Sequence, residues 1–151
     1  MAETSKTKNL KVLLIEDDPY VVQLYQDIIS SETNWQLEVI DSLTDLEKDF
    51  GKIKKITPDV ILLDLILPAV PESKKGGGYI LDKELGFQIL ERLKKDEATK
   101  KIPVVVISAL SGEIDKDRAK ALGAEKYLVK SEILPFQIIK VVEEVLSSYN
   151  S

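Results

Sequence analysis

Chemically versatile side chains follow four short apolar runs of the sequence, at the point where each run ends. They comprise three adjacent acids, a further acid, a hydroxyl and an amine, namely Glu16, Asp17, Asp18, Asp64, Ser108 and Lys130. Grouped carboxylates repel one another unless a cation neutralises them, and Mg²⁺ prefers oxygen ligands. A carboxylate can also attack phosphorus, and a nearby amine and hydroxyl would stabilise the phosphoryl oxygens. The set therefore predicts phosphoryl chemistry beside a magnesium ion.

Taken singly, each of these residues also has a purely structural interpretation. An acidic turn such as Glu16–Asp18 often caps a helix, where the helix dipole favours negative charge. Asp64 suits a turn, Ser108 suits a helix cap, and Lys130 alone would be a solvated charge. The chemical interpretation is favoured because all of them occupy equivalent positions, directly after an apolar run.

The apolar runs predict the strands of one parallel sheet, because four-residue runs without alternation are typical of strands covered on both faces. The predicted strands lie at 12–15, 37–40, 60–63, 104–107 and 127–129. Helical periodicity predicts helices near 19–29, 43–51, 87–95, 113–122 and 136–145. Alternating strands and helices favour an α/β fold with right-handed crossovers. Ligands bind such sheets beside the carboxyl ends of the strands, where the polar residues lie.

The composition excludes several classes of protein. The 151 residues suit one domain, and 44% hydrophobic with 31% charged residues is typical of a soluble globular chain. No run approaches the roughly 18 apolar residues of a membrane span, and the polar start does not resemble a signal peptide. Without His there is no His-based acid–base chemistry, His-ligated zinc or Ser-His-Asp triad. The absence of Cys fits a cytoplasmic location, and a net charge of −5 argues against a general nucleic-acid surface.

One segment interrupts the alternation of strands and helices. It contains the adjacent glycines 76–78 beside Lys74 and Lys75, and three glycines are costly inside a strand or helix. We therefore predict an inserted loop at about 69–85, between the third strand and the third helix. The simpler interpretation is a tolerated surface loop; the sharper hypothesis is that its two lysines help to select or shield a partner.

The motifs together resemble the receiver domain of two-component response regulators. The resemblance covers about residues 9–148, which leaves 1–8 as a flexible N-terminal tail and 149–151 as a short C-terminal tail. The matching segments are 12–19, 58–68, 102–109 and 123–130. The fold that this resemblance implies is flavodoxin-like, (βα)5, with a doubly wound parallel sheet of five strands in the order 2-1-3-4-5.

The resemblance also implies a role for each matching residue. Asp64 is the phosphoacceptor, Lys130 pairs with the phosphoryl group, and Ser108 is the switch hydroxyl that moves towards that group. Tyr127 is the aromatic switch that follows Ser108. The implied ligands of Mg²⁺ are Asp17, Asp64, the backbone carbonyl of Ile66 and, through water, Glu16. Asp18 lies outside the family pattern and is assigned to helix capping.

Two departures from the family pattern concern geometry. Ser131 follows Lys130 where the family usually has a proline, so we expect no cis peptide bond at this position. Pro68 and the helix-start glycine, Gly86, are joined in the family by a short link but are separated here by the insert.

A third departure concerns the lifetime of the phosphorylated state. The two positions that often steer the attacking water in this family, two residues beyond Asp64 and two beyond Ser108, are Ile66 and Leu110. Neither side chain can orient water by hydrogen bonding. We therefore expect slow self-dephosphorylation and a long-lived signal.

The leading functional hypothesis is the phosphoacceptor of a phosphorelay. The resemblance implies a sensor histidine kinase or a histidine phosphotransfer protein as donor and an unknown downstream protein as target. Direct binding to nucleic acid is not expected, because the few residues after Leu146 are too few for a DNA-binding unit. A membrane partner is not expected either, because no apolar run is long enough to span one. A homodimer that forms on phosphorylation is compatible with the apolar residues Leu110, Ile114, Tyr127 and Ile133.

Two other functions stay open at this point. The chain could be a pseudo-receiver, a binding module that is not phosphorylated, although its complete set of site residues argues against this. It could also be a Mg²⁺-dependent phosphatase, although no second acid stands two residues after Asp64. Under the leading hypothesis the chain is not an enzyme towards other molecules, because it catalyses only its own phosphorylation and slow dephosphorylation.

Overall fold

The structure is a computed structural model that describes residues 9–41, 43, 46–69 and 80–149. These residues form seven strands and five α-helices. The strands are β1 Lys11–Ile15, β2 Gln36–Ile40, β3 Val60–Leu63, β4 Leu67–Ala69, β5 Ile80–Asp82, β6 Val104–Ser108 and β7 Lys126–Val129. The helices are α1 Pro19–Glu32, α2 Leu46–Ile56, α3 Lys83–Lys95, α4 Glu113–Ala121 and α5 Gln137–Tyr149. A 3₁₀ turn, Lys130–Glu132, follows β7.

Five of the strands form one parallel sheet in the order β2-β1-β3-β6-β7. Numbered within that sheet, the order is 2-1-3-4-5, so the predicted flavodoxin-like arrangement is confirmed. Ile15 of β1 lies beside Leu63 of β3, and the Asp64 amide donates a 3.0 Å hydrogen bond to the Ile15 carbonyl. Glu16 and Asp64 therefore leave the sheet at the same level, where its strand order reverses.

Helices cover both faces of the sheet, which is why every residue of β3 and β6 is buried. One face packs against α2, α3 and α4 through side chains such as Phe50 and Phe87. The other face packs against α1 and α5 through side chains such as Tyr25 and Val142. Burying one large apolar side chain contributes about 1.5–3 kcal/mol. The two cores therefore hold the strands, and with them the strand ends, in fixed positions.

Most helix ends follow the local sequence signals. Gly123 follows α4 with a φ of 110°, a left-handed conformation that favours glycine. The expected stop near Gly51 is wrong, because Ile53 continues the buried stripe and α2 runs on to Ile56. Helix α5 ends at Tyr149, one residue beyond the predicted end of the domain. None of the described helices combines the length and the hydrophobicity that crossing a membrane requires.

The predicted insert of about 69–85 is only partly a loop. Its flanks form an antiparallel pair, β4 with β5, in which Leu67 lies beside Asp82. Helix α3 begins directly after β5, so residues 83–85 are helical. The prediction of a loop was wrong at these ends. Hydrogen bonds between backbone amides and carbonyls can form a strand pair in a segment whose sequence shows no strand pattern. The predicted glycine run at 76–78 and the predicted N-terminal tail at 1–8 lie outside the described residues, as do residues 150–151 of the predicted C-terminal tail, 149–151.

Candidate functional site

Two acids are buried together where β1 and β3 end. Glu16 is 2% exposed and Asp64 is 4% exposed. The Asp18 amide donates a hydrogen bond to Glu16 Oε2 over 3.2 Å, and the Ile66 amide donates one to Asp64 Oδ1 over 3.0 Å. Each carboxylate is thus held by a backbone amide two residues further along its own loop.

Lys130 joins the two acids from the end of β7. Its Nζ lies 3.1 Å from Glu16 Oε1 and 3.1 Å from Asp64 Oδ2. Burial opposes the charge of the amine, but the carboxylates of Asp64 and Glu16 outweigh it and raise the pKa of Lys130. The chain turns into the 3₁₀ segment directly at Lys130, and no peptide bond among the described residues is cis. Lys130 therefore carries its positive charge into the pocket between the acids.

A third acid, Asp17, completes a cluster with Glu16 and Asp64, in which one carboxylate oxygen from each residue lies within 4.8 Å of the other two. One lysine cannot balance three carboxylates. Burial, followed by the charge of Asp64, raises the pKa of Glu16 from 4.5 to about 7. Burial also raises the pKa of Asp64 and of Asp17. A hard divalent cation would neutralise this excess of negative charge, so the donor set fits Mg²⁺.

Asp18, the third of the adjacent acids, has a structural role. Its side chain accepts a 2.9 Å hydrogen bond from the Tyr20 amide and caps α1, with Pro19 at the start of the helix. The capping role assigned to Asp18 from the sequence is confirmed.

Ser108 and Tyr127 are linked through the backbone of Leu110. Ser108 is fully buried at the end of β6, and its Oγ accepts a 3.1 Å hydrogen bond from the Leu110 amide. The hydroxyl of Tyr127 donates a 2.9 Å hydrogen bond to the Leu110 carbonyl. The sequence did not indicate this role of Leu110, because backbone groups leave no side-chain signal. Ser108 and Tyr127 therefore share Leu110 as a hydrogen-bond partner, one through its amide and the other through its carbonyl.

The family model of the response regulator receiver domain matches residues 12–143, a range that contains the whole of this pocket. The chain belongs to this family. Receiver domains generally bind Mg²⁺, in agreement with the acidic cluster of Glu16, Asp17 and Asp64.

Known relatives of the receiver domain differ in length. The chain is 30% identical over 135 residues to the DNA-binding dual master transcriptional regulator RpaA of Synechocystis, covering 89% of this chain and 47% of that protein. It spans between 15% and 47% of the first curated relatives that it matches. The receiver domain therefore accounts for only part of those proteins.

Two solved structures are similar to this receiver domain along almost their whole length. One is the phosphorylated cyanobacterial phytochrome response regulator RcpA, with 28% identity, a TM-score of 0.65 and coverage of 93% of this chain and 95% of that chain. The other is the Mn²⁺-bound form of response regulator Rcp1, with 26% identity, a TM-score of 0.65 and coverage of 89% and 92%.

Some of the predicted site residues lie together in one pocket of the receiver domain, and others are connected through a shared hydrogen-bond partner. Those in the acidic pocket are Glu16, Asp17, Asp64 and Lys130. Ser108 and Tyr127 are joined by their shared contacts to Leu110. Ile66 contributes its amide to Asp64, whereas its carbonyl stays a predicted metal ligand.

Proposed function

We propose that Asp64 accepts a phosphoryl group from a phosphohistidine, with Mg²⁺ bound beside it. The observation that carries this proposal is the burial of Asp64 in contact with Lys130 and next to two further acids. Receiver domains interact with histidine kinases or phosphotransfer proteins, which supports a sensor histidine kinase or a histidine phosphotransfer protein as the donor. The receiver domain modifies only itself in this reaction and is no enzyme towards other molecules. We place the exchange in the cytoplasm.

The chemical step is the attack of one Asp64 oxygen on the phosphorus of the donor. A P–O bond forms as the P–N bond of phosphohistidine breaks, and the imidazole nitrogen leaves with the bonding electron pair. Asp64 has to be ionised for this attack, and the hydrogen bonds from Lys130 and the Ile66 amide favour the ionised form. Burial works against ionisation, so Lys130 also has to offset the cost of a buried charge.

The remaining residues neutralise charge around the phosphoryl group. Asp17, Asp64, the Ile66 carbonyl and, through water, Glu16 would hold Mg²⁺, which supplies neutralisation of the phosphoryl oxygens when bound. Lys130 provides a positive charge to one phosphoryl oxygen.

Phosphorylation would then move the switch residues. The Ser108 hydroxyl would donate a hydrogen bond to the new phosphoryl group and leave the Leu110 amide. Tyr127 is bonded to the other side of Leu110, so its preferred position would change as well. This is a shift between two populated states, in which the dianion favours the second state.

Exposed apolar side chains lie close in the chain to the pocket and to the switch. Tyr20, Leu134 and Phe136 are 85%, 56% and 61% exposed, and they follow the acidic loop and the Lys130 turn. We assign these side chains to contacts with the donor, because the segments that carry them follow directly after pocket residues, Asp17 in one case and Lys130 in the other. Ile114, 82% exposed at the start of α4, lies near Leu110, and we assign that face to the downstream protein or to a second copy of the receiver domain.

The direct test uses acetyl phosphate and Mg²⁺, with the intact mass of the protein as the readout. The wild-type protein is expected to gain one phosphoryl group, and Asp64→Asn is expected to gain none. Asp59→Asn is the matched control, because Asp59 lies at the opposite end of β3 and accepts a hydrogen bond from the Lys11 amide. Equal phosphorylation of Asp64→Asn and wild type, or none in wild type, would contradict the proposal and favour a binding module that is not phosphorylated.

A further inference from the structure

Gly86 lies where the first turn of α3 presses against the loop that carries Asp64. A Cβ atom at Gly86 would lie 2.3 Å from the carbonyl oxygen of Leu65 and 2.5 Å from its Cα. Cβ atoms essentially never approach other atoms within 3.0 Å, and these are backbone atoms that cannot rotate away. Only a residue without a Cβ lets the helix approach the loop this closely.

The loop is short and is held on both sides. It spans residues 64–66 between β3 and β4, and β4 pairs with β5 immediately before α3 begins. The pairing of β5 and the contact of Gly86 therefore come from one continuous stretch of chain. Inside the loop, the Ile66 amide donates its hydrogen bond to Asp64 Oδ1. A shift of the Leu65 backbone would move both partners of that bond.

We propose that Gly86 is a positioning residue for the phosphoacceptor. The contact with Leu65 holds the loop so that the Asp64 carboxylate meets Asp17 and Lys130. Gly86 touches none of the reacting atoms and acts only through the backbone of Leu65. The proposal rests on the proposed function of Asp64 and names a further determinant of its rate. Displacing a reacting group by about 1 Å can lower a rate by roughly 10²-fold.

Gly51 provides a matched control. It also lies inside a described helix but, unlike Gly86, it has no close neighbours. A Cβ atom at Gly51 would meet nothing within 4 Å, so alanine fits there. A second control is Ile53→Val, which lowers stability from a fully buried position in the core. Two measurements are made on each variant: hydrogen exchange of the Ile66 amide by NMR, and the rate of phosphorylation by acetyl phosphate with Mg²⁺.

In Gly86→Ala, exchange of the Ile66 amide is expected to rise roughly tenfold or more relative to the amides of β3. The phosphorylation rate is expected to fall roughly tenfold or more. Gly51→Ala and Ile53→Val are expected to change neither quantity by as much. A Gly86→Ala protein that keeps the wild-type value of either quantity overturns the proposal. If wild type is not phosphorylated at all, the proposed function fails, and exchange at Ile66 alone decides whether Gly86 positions the loop.

A folding defect does not remove the test. Alanine at position 51 improves helix propensity, so the double variant Gly51→Ala/Gly86→Ala provides a more stable background for the same measurements. Failure of both variants to fold, seen by circular dichroism, also overturns the proposal, because the contact would then serve the whole fold and not Asp64 in particular.

Discussion

The pocket of this receiver domain and the outer surface of its helices use ion pairs in opposite ways. In the pocket, Lys130 lies 3.1 Å from each of two buried acids. On the surface, Arg118 of α4 forms two hydrogen bonds of 2.7 Å to the carboxylate of Glu84 on α3, with both side chains almost half exposed. The surface pair has the shorter distances, yet water screens it, so its contribution is small. The burial of the charged groups, and not the distance between nitrogen and oxygen, therefore decides which ion pair has the larger energetic effect.

The pocket is also unbalanced in charge, unlike the surface. Three carboxylates meet one lysine, and burial with the charge of Asp64 raises the pKa of Glu16 to about 7. Such a cluster costs stability in the absence of a cation, and it prepares the pocket for one.

The first prediction compares two partly buried lysines, Lys130 and Lys94. Lys130→Met is expected to lower the rate of phosphorylation by acetyl phosphate by roughly 10²–10³-fold, because a positive charge at the phosphoryl oxygens is lost. Lys94→Met is the control, because Lys94 lies outside the pocket and its Nζ donates a 2.8 Å hydrogen bond to the Ile102 carbonyl. That variant is expected to lose stability and keep its rate. Equal losses of rate in both variants would show that Lys130 acts through the fold.

The second prediction concerns stability against pH in metal-free buffer. In the unfolded chain Glu16 loses its proton near pH 4.5, whereas in the folded protein it keeps the proton up to about pH 7. The folded state therefore binds more protons between these values, and its stability falls as the pH rises through this window. Glu16→Gln removes the part of this dependence that comes from Glu16 and is expected to raise the free energy of unfolding at pH 8 by about 2–3 kcal/mol. The weaker dependence that remains comes from Asp64 and Asp17, whose pKa values burial also raises.

Urea unfolding at pH 5 and pH 8 measures this effect, with Glu32→Gln at an exposed position as the control. Addition of Mg²⁺ at pH 8 is expected to stabilise wild type more than Glu16→Gln, since the cation binds only the folded state. A Glu16→Gln variant that is less stable than wild type at pH 8 would contradict the account of the pocket as unbalanced.

The third prediction concerns the apolar side chains beside the pocket. If Ile66 cannot orient water, the phosphorylated state of wild type should be long-lived, and Ile66→Asn should shorten its lifetime about tenfold. Ile66→Val is the control, because valine is equally unable to donate a hydrogen bond. Decay of the phosphorylated mass after removal of the phosphodonor gives the lifetime. Rapid decay in wild type that Ile66→Asn leaves unaltered would contradict the prediction.

The sequence predicted the main sheet and its polar edge because both follow from side-chain patterns. The apolar runs that end at Glu16 and Asp64 predicted parallel strands whose carboxyl ends lie side by side at one edge of the sheet. The antiparallel pairing of β4 with β5 was missed because the adjacent glycines between them led to the prediction of a loop across the whole segment. The contact of Gly86 with Leu65 was missed for a different reason: a close approach between backbones is a property of packing, and a glycine alone does not reveal what lies against it.

The fourth prediction concerns the surface pair itself. Glu84→Gln removes the charge that Arg118 meets, but Arg118 also lies 4.0 Å above the ring of Phe87 and keeps that contact. The melting temperature is expected to change by no more than about 2–4 °C at low salt, and by less at 1 M salt. Phosphorylation is expected to proceed at the wild-type rate. A loss of rate comparable with that of Lys130→Met would mean that α4 reaches the pocket through α3, and the contrast between surface and pocket would then not hold.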